Sequence, residues 1–375
     1  MQSSSRSRNR PVALWIYTGV VMLLIQVILG GITRLTGSGL SITEWDVVTG
    51  ALPPLDHTQW LEAYDKYRQT PQFRFLNFGF DLADFKFIFF WEWFHRFWAR
   101  LVGVVFLVGF VWLLAKKRLE PRMVRPLIIL FLLGALQGAV GWVMVASGLT
   151  GDAIYVQPTK LALHFIFALG LIVYTFWFAL ELSVPDEARA GFLPAVPGSS
   201  DPSGNLRQLG TLRGWTIGII LLLVVQLLYG ALMAGHKAAN VAPTWPRING
   251  SWIPESTFSR PLFHDLIGNR LTVQFIHRTL AYLLFAGVLV WTVIALRLSP
   301  VPGFFRRLRW LPLGLITVQI VLGICSLLTS PWIVPGQWGA FDWLAQTHQV
   351  TGLLFLLTMV GMLYFVVPIR RSVTV

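Results

Sequence analysis

Apolar residues fall in eight long runs, at roughly 12–32, 87–115, 124–147, 159–182, 212–234, 271–296, 309–329 and 343–366. A run of about 20 apolar residues wound as a helix matches the hydrocarbon thickness of a bilayer. In lipid the backbone satisfies its own polar groups only in helices or closed barrels, and runs of this length mean helices. The pattern predicts an all-α integral membrane protein with eight transmembrane helices. Between the runs lie short basic segments on one side and longer loops, 33–86 and 235–270 among them, on the other.

Composition agrees with this reading. The chain is 55% hydrophobic and only 13% charged, with a mean hydropathy of +0.64. A soluble domain exposes far more charge. The net charge of +13 raises the question of nucleic acid, and its placement answers it. Arg6, Arg8 and Arg10 precede the first run. Lys116, Lys117, Arg118, Arg122 and Arg125 lie between the second and third, and Arg297, Arg306, Arg307 and Arg309 between the sixth and seventh. Arg189, Arg207 and Arg213 fall near the middle, and Arg370 and Arg371 near the end. All share one side, which the positive-inside rule makes cytoplasmic. The charge is a topology signal, and no nucleic-acid partner is expected. Both termini are then cytoplasmic, in a cell (inner) membrane. The first run is too long for a secretory leader and lacks a clear small-x-small cleavage site, so it reads as an uncleaved helix.

The segment 183–210 is rich in Pro, Gly and Ser and reads as a flexible cytoplasmic linker. It divides the chain into 1–182 and 211–375, and these halves repeat one another. Gln26–Gly30 recurs as Gln226–Gly230, and Gln137–Gly141 as Gln319–Gly323. Glu92-Trp-Phe-His95-Arg96 recurs as Gln274-Phe-Ile-His277-Arg278, and His164 corresponds to His348. Matches in this order indicate a tandem repeat. An even number of spans per half makes the repeat parallel, with a pseudo-two-fold axis along the membrane normal. Each half is expected to be a four-helix bundle with its site in the core.

Chemistry enters with four histidines. His95, His164, His277 and His348 each lie within about two turns of the start of an even-numbered run, roughly 6–12 Å below the outer surface at the helical rise. An imidazole inside a membrane is costly and is usually functional. Two histidines on neighbouring helices can hold a haem iron from both faces. The pairs would be His95 with His164, and His277 with His348. The alternatives are buried histidines that bond between helices, or zinc, which wants four nitrogen or sulfur ligands close together. The single cysteine, Cys325, leaves no C-x-x-C-H, so haem would not be attached covalently as in c-type cytochromes.

The halves differ at one informative place. Glu92 and Gln274 each lie three residues before a histidine and share its helix face. A carboxylate there can move protons or stabilise a developing cation; it can also simply pair with Arg96 or Arg100. The difference points to chemistry in the N-terminal half and electron transfer in the C-terminal half. Arg96 and Arg278, next to the histidines, and Arg34 in the first outer loop are candidates for binding haem propionates; binding to loop groups is the other reading. Loop 33–86 shows no obvious secondary structure and reads as a lid or binding segment. His57, His236 and His264 read as ordinary surface histidines, and Gly-His-Lys-Ala at 235–238 has no evident role.

At these residues the chain resembles the haem A synthase family. The resemblance rests on GGITRLTGSGLSITEW (30–45), FKFIFFWEWFHRFWARLVG (85–103), LALHF (161–165), NGSWIPE (249–255) and QFIHR (274–278). It implies oxidation of the C8 methyl of haem O to the formyl of haem A, through a hydroxymethyl intermediate and a gem-diol that loses water. It further implies that His95 and His164 face haem O, that Glu92 is the catalytic acid, and that His277 and His348 ligate haem b. Haem O synthase would be the supplier, the product would serve haem-copper oxidases, and an electron-transfer partner and a homo-oligomer are compatible with it. The outer-loop cysteine pairs of some bacterial members are missing, so the chain looks like the cysteine-free branch. Two other classes compete: a diheme cytochrome b in quinol-linked electron transfer, and a transporter with a repeated fold.

Overall fold

The computed structural model describes residues 2–44, 49–185, 188, 202–258, 261–299, 301–334 and 336–368. Most of the expected linker, with Trp45, Arg189, Arg370 and Arg371, lies outside the described residues. The apolar runs form eight long helices. They are α1 (Gln2–Leu35), α2 (Leu82–Ala115), α3 (Pro121–Ala146) and α4 (Pro158–Ser183), then α5 (Pro202–Gly235), α6 (Arg270–Arg297), α7 (Leu311–Thr329) and α8 (Ala340–Val366). All eight are long and apolar enough to cross a membrane.

Local chemistry sets their starts. α2 opens on a capping box in which Asp81 accepts from the Asp84 backbone and Asp84 answers at Asp81. It therefore begins more than a turn ahead of its apolar run. Asn269 caps α6 through the amides of Leu271 and Thr272. Pro121 and Pro158 stand in the first turns of α3 and α4, where no amide hydrogen is needed.

The helices pack by one scheme used twice. α1 lies against α2 and α4, and α3 against α4; α5 lies against α6 and α8, and α7 against α8. α4 and α1 then meet α5 and α8 across the middle. The largest apolar core joins α4 to α8, with Trp291 fully buried and its indole donating to Thr216 Oγ1 at 2.8 Å. The scheme fails at one place: α6 packs on α7, whereas α2 and α3 make no comparable contact.

Two boundaries differ from expectation. The linker was expected to reach 210, but 202–210 is already helix and continues into α5. Pro202 fits a first helical turn, and Leu209 packs on the large core. The first outer loop, expected to be without regular structure, contains helices His57–Arg68 and Pro71–Phe75. Asp56 and Thr70 cap them. Trp60, Tyr64 and Tyr67 recur at helical spacing and close over Phe85, Ile88 and Phe89 of α2 in a small core of their own.

Candidate functional site

Each of the four membrane histidines sits in the same kind of seat. An even helix carries the histidine, and the odd helix before it carries Gln-x-x-x-Gly. Gly30 faces His95, Gly141 faces His164, Gly230 faces His277 and Gly323 faces His348. A Cβ on these glycines would stand 3.2, 2.9, 3.3 and 3.0 Å from the respective rings, so any larger residue would press on the imidazole. One turn earlier a glutamine reaches the same histidine. Gln137 Nε2 lies 3.2 Å from His164 Nδ1, Gln226 Nε2 lies 3.4 Å from His277 Nε2, and Gln319 Nε2 lies 3.2 Å from His348 Nε2. Gln26 instead donates to the His95 carbonyl at 3.2 Å. The four glutamine Oε1 atoms and His277 Nδ1 are buried without a hydrogen-bond partner. Buried polar atoms are rarely left so.

Within the C-terminal half, the His277 and His348 rings meet edge to face, with centroids 6.4 Å apart and planes inclined by 71°. In the N-terminal half, His164 lies within electrostatic reach of His95. Among the described residues no three or more His, Cys, Asp or Glu converge as a metal cluster. What each half offers is a pair of imidazoles.

Glu92 is buried, 3% exposed. Its Oε2 accepts from the Ser41 amide at 2.7 Å, the Ser41 hydroxyl at 2.7 Å and the Ile42 amide at 2.9 Å. Its Oε1 pairs with Arg96 at 2.5 Å. The carboxylate thus fastens the start of the first outer loop to α2. Gln274 does the mirror task with a donor, its Nε2 bonding the Ala242 carbonyl at 3.0 Å.

The arginines are engaged with backbone. Arg96 donates to the carbonyls of Ile42 and Glu44, and Arg278 to those of Thr244 and Pro246, two residues apart in each loop. Arg34, at the end of α1, donates to the Ala234 carbonyl of α5 at 3.0 Å and so ties one half to the other. His57 and His264 are exposed, as expected. His236 is not a surface residue: it is half-buried, and its Nε2 pairs with the Ile267 carbonyl at 2.7 Å. The Gly-His-Lys-Ala segment ends α5. Gly235 passes so close to Pro158 that a Cβ would stand 2.8 Å from its Cα, and Lys237 turns left-handed (φ 51°) with its ammonium 3.7 Å from the Tyr155 ring centre. Sequence reasoning passed over the glutamine seats and Ser41. The fourfold recurrence of Gln-x-x-x-Gly before each histidine was the available signal.

These features define a class: an eight-helix membrane protein that presents paired histidines in each of two similar halves. Residues 13–360 match the family model described as Cytochrome oxidase assembly protein (COX15-CtaA). The chain is 39% identical over 352 residues to the Heme A synthase of Rhodopseudomonas palustris (strain BisB5), covering 93% of this chain and 89% of that one. It is 41% identical over 320 residues to the Heme A synthase of Paracoccus denitrificans, covering 84% and 80%, and 38% identical over 331 residues to that of a Caulobacter species, covering 88% and 91%. The chain belongs to the haem A synthase family.

Proposed function

We propose that in this haem A synthase, an oxidoreductase that converts haem O to haem A, the two halves have different roles. Residues 1–182 form the substrate bundle, in which His95 and His164 hold haem O. Residues 211–375 form the cofactor bundle, in which His277 and His348 ligate a resident haem b. The spacing of the C-terminal pair carries this reading. An iron about 2 Å from each of two imidazole nitrogens sets ring centres roughly 6 Å apart, and the observed separation is 6.4 Å.

Once bound, haem b supplies one-electron transfer. The chain's own residues do the rest. Glycines 30, 141, 230 and 323 leave room at the rings, and Gln137, Gln226 and Gln319 reach the rings of His164, His277 and His348 and orient them. Glu92 gives the N-terminal half a carboxylate where the C-terminal half has neutral Gln274, and we assign it the acid role during oxidation of the C8 methyl through its hydroxymethyl stage. Arg34, Arg96 and Arg278 fix the loop backbones and helix ends beside the histidines, and their charge favours propionates at that end. The basic segments support an orientation with both termini in the cytoplasm and the histidine layer toward the outside. Haem O synthase is the supplier that this assignment calls for, together with an electron-transfer partner.

A second reading of Glu92 has its own support. With four polar contacts it serves as the anchor of the outer loop and acts on the reaction only through that loop.

The test is co-expression with a haem O supply, followed by chromatography of extracted haems. Haem b together with haem A or its hydroxymethyl precursor is expected. Haem b alone would make the protein a cytochrome, and no pigment at all would favour a transporter.

A further inference from the structure

The seam between α2 and α3 differs from its counterpart in the other half. α6 and α7 close on one another, with Phe285, Ile316 and Ile320 all packed into the large core. The repeat places Gly103, Gly134 and Gly138 at the matching positions of α2 and α3. All three glycines are exposed, and a Cβ on any of them would meet nothing within 4 Å. The apolar windows of α2 and α3 are each 6% buried, against 28% and 17% for α6 and α7. At the end far from the histidines the two helices still share a cluster, through Leu113 and through Met123 and Leu127. Toward the histidines they part. There a cleft of about 220 Å³ lies between Arg96 of α2 and Trp142 and Val145 of α3, with Ile42 and Thr43 of the outer loop beside it. Gly141 shares its helix face with Gly134 and Gly138 and lies against the His164 ring. Arg96 and Trp142, which line the cleft, directly follow His95 and Gly141, so the cleft lies beside the histidine seat, and the bare glycine face of α3 leads away from that seat on the other side.

We infer that this seam is the passage by which the substrate haem enters the N-terminal site from the bilayer and the product returns to it. The inference rests on the N-terminal pair being the substrate site. Haem O is a flat, largely apolar molecule, and burial of apolar area holds it in the hydrocarbon phase. A substrate must come and go at every turnover, whereas a resident cofactor need not exchange. The open seam stands in the half assigned to substrate, and the closed seam in the half assigned to cofactor. Glycine is the residue that removes side-chain bulk from a helix face without breaking a membrane helix.

The experiment transplants the closed seam. Gly103→Phe, Gly134→Ile and Gly138→Ile are combined in the full chain purified with its haem b. Three quantities are read: haem b content, the rate of haem O uptake from phosphatidylcholine vesicles, and conversion of haem O loaded during co-expression. The passage predicts unchanged haem b, uptake slowed on the order of tenfold or more, as for a gated step, and conversion of pre-loaded haem at the original rate. Uptake at the original rate overturns it. A variant that holds no haem O even when both are made together also overturns it, because the glycines then line the seat and not a route. Failure of the underlying assignment is separately visible: His95→Ala would then still make haem A with the seam intact.

Discussion

Four donors converge on the carboxylate of Glu92, and the two readings of this residue make different demands on them. If Glu92 is the acid of the reaction, Glu92→Gln keeps the size, removes the charge and the proton, and lowers haem A formation about a hundredfold or more, while haem b on His277 and His348 stays. Ser41→Ala, which deletes one hydrogen bond worth about 1 kcal/mol, then leaves haem A yield nearly unchanged. If Glu92 is only the loop's anchor, Glu92→Gln loses haem loading and activity together, since it removes the buried carboxylate that holds Ser41, Ile42 and half-buried Arg96, and Ser41→Ala, which loosens the same anchor, lowers both in parallel by less. Chromatography of haems beside the haem b spectrum separates the outcomes. A second expectation concerns the seats. His277→Ala or His348→Ala removes most of the haem b spectrum. Gln319→Leu keeps the pigment but shifts its redox potential and weakens haem binding by about tenfold or more, because the Gln319 amide touches the His348 ring, while the bond from His348 to the Gln319 backbone carbonyl stays. An unshifted potential in Gln319→Leu would make that glutamine a packing residue only.

At the scale of elements, the spans were legible because a bilayer allows so few ways to place 20 apolar residues. The histidine pairing was legible because it is repeated. The ends of elements were not. The capping box that lengthens α2 and the proline that starts α5 at 202 act through local backbone groups that hydropathy does not register. The small core under the first outer loop was hidden for another reason: it mixes aromatic rings with polar partners, and its apolar stripe is only three turns long. Tyr67 lies at its centre, fully buried, with Asn77 donating to its hydroxyl at 2.7 Å. Burial pushes the Tyr67 phenol up from 10 to about 12. The fold therefore favours the neutral phenol. Its contribution is complete below pH 10, where the unfolded chain is also neutral, and is lost as pH rises from 10 through about 12. Limited proteolysis of the loop should accelerate across that window, and Tyr67→Phe should remove much of the acceleration. Equal acceleration in both proteins would assign the effect to other groups.

For the whole molecule the question is what keeps the two halves together. The contacts across the middle are made by helices and do not need the linker. α4 packs on α5 and α8, and α1 on α8. Gln346 and Gln349 of α8 donate to the carbonyls of Ile28 and Val27 in α1, at 3.2 and 3.1 Å. These reach backbone in the turn just before Gly30 and Gly31, where Gln346 approaches too closely for a side chain at Gly31. Arg34 reaches from α1 to α5, and Gly235 of α5 lies on Pro158 of α4. Small residues that let backbones approach, with amides bonding across helices, are how membrane helices associate when water supplies no drive. The segment between α4 and α5, by contrast, is Pro, Gly and Ser-rich and joins Ser183 to Pro202, the ends of those helices away from His164 and from the glutamine seat at Gln226. A protease site inserted within 189–201 and cut after purification should therefore leave two fragments that migrate as one particle in detergent, with haem b retained and conversion of haem O intact. Adding Gln346→Ala, Gln349→Ala and Arg34→Ala to the cut protein removes the hydrogen bonds of these side chains across the middle, and the fragments should then separate. Fragments that part on cutting alone would mean that the linker, and not the α1, α4, α5 and α8 interface, holds the halves in register.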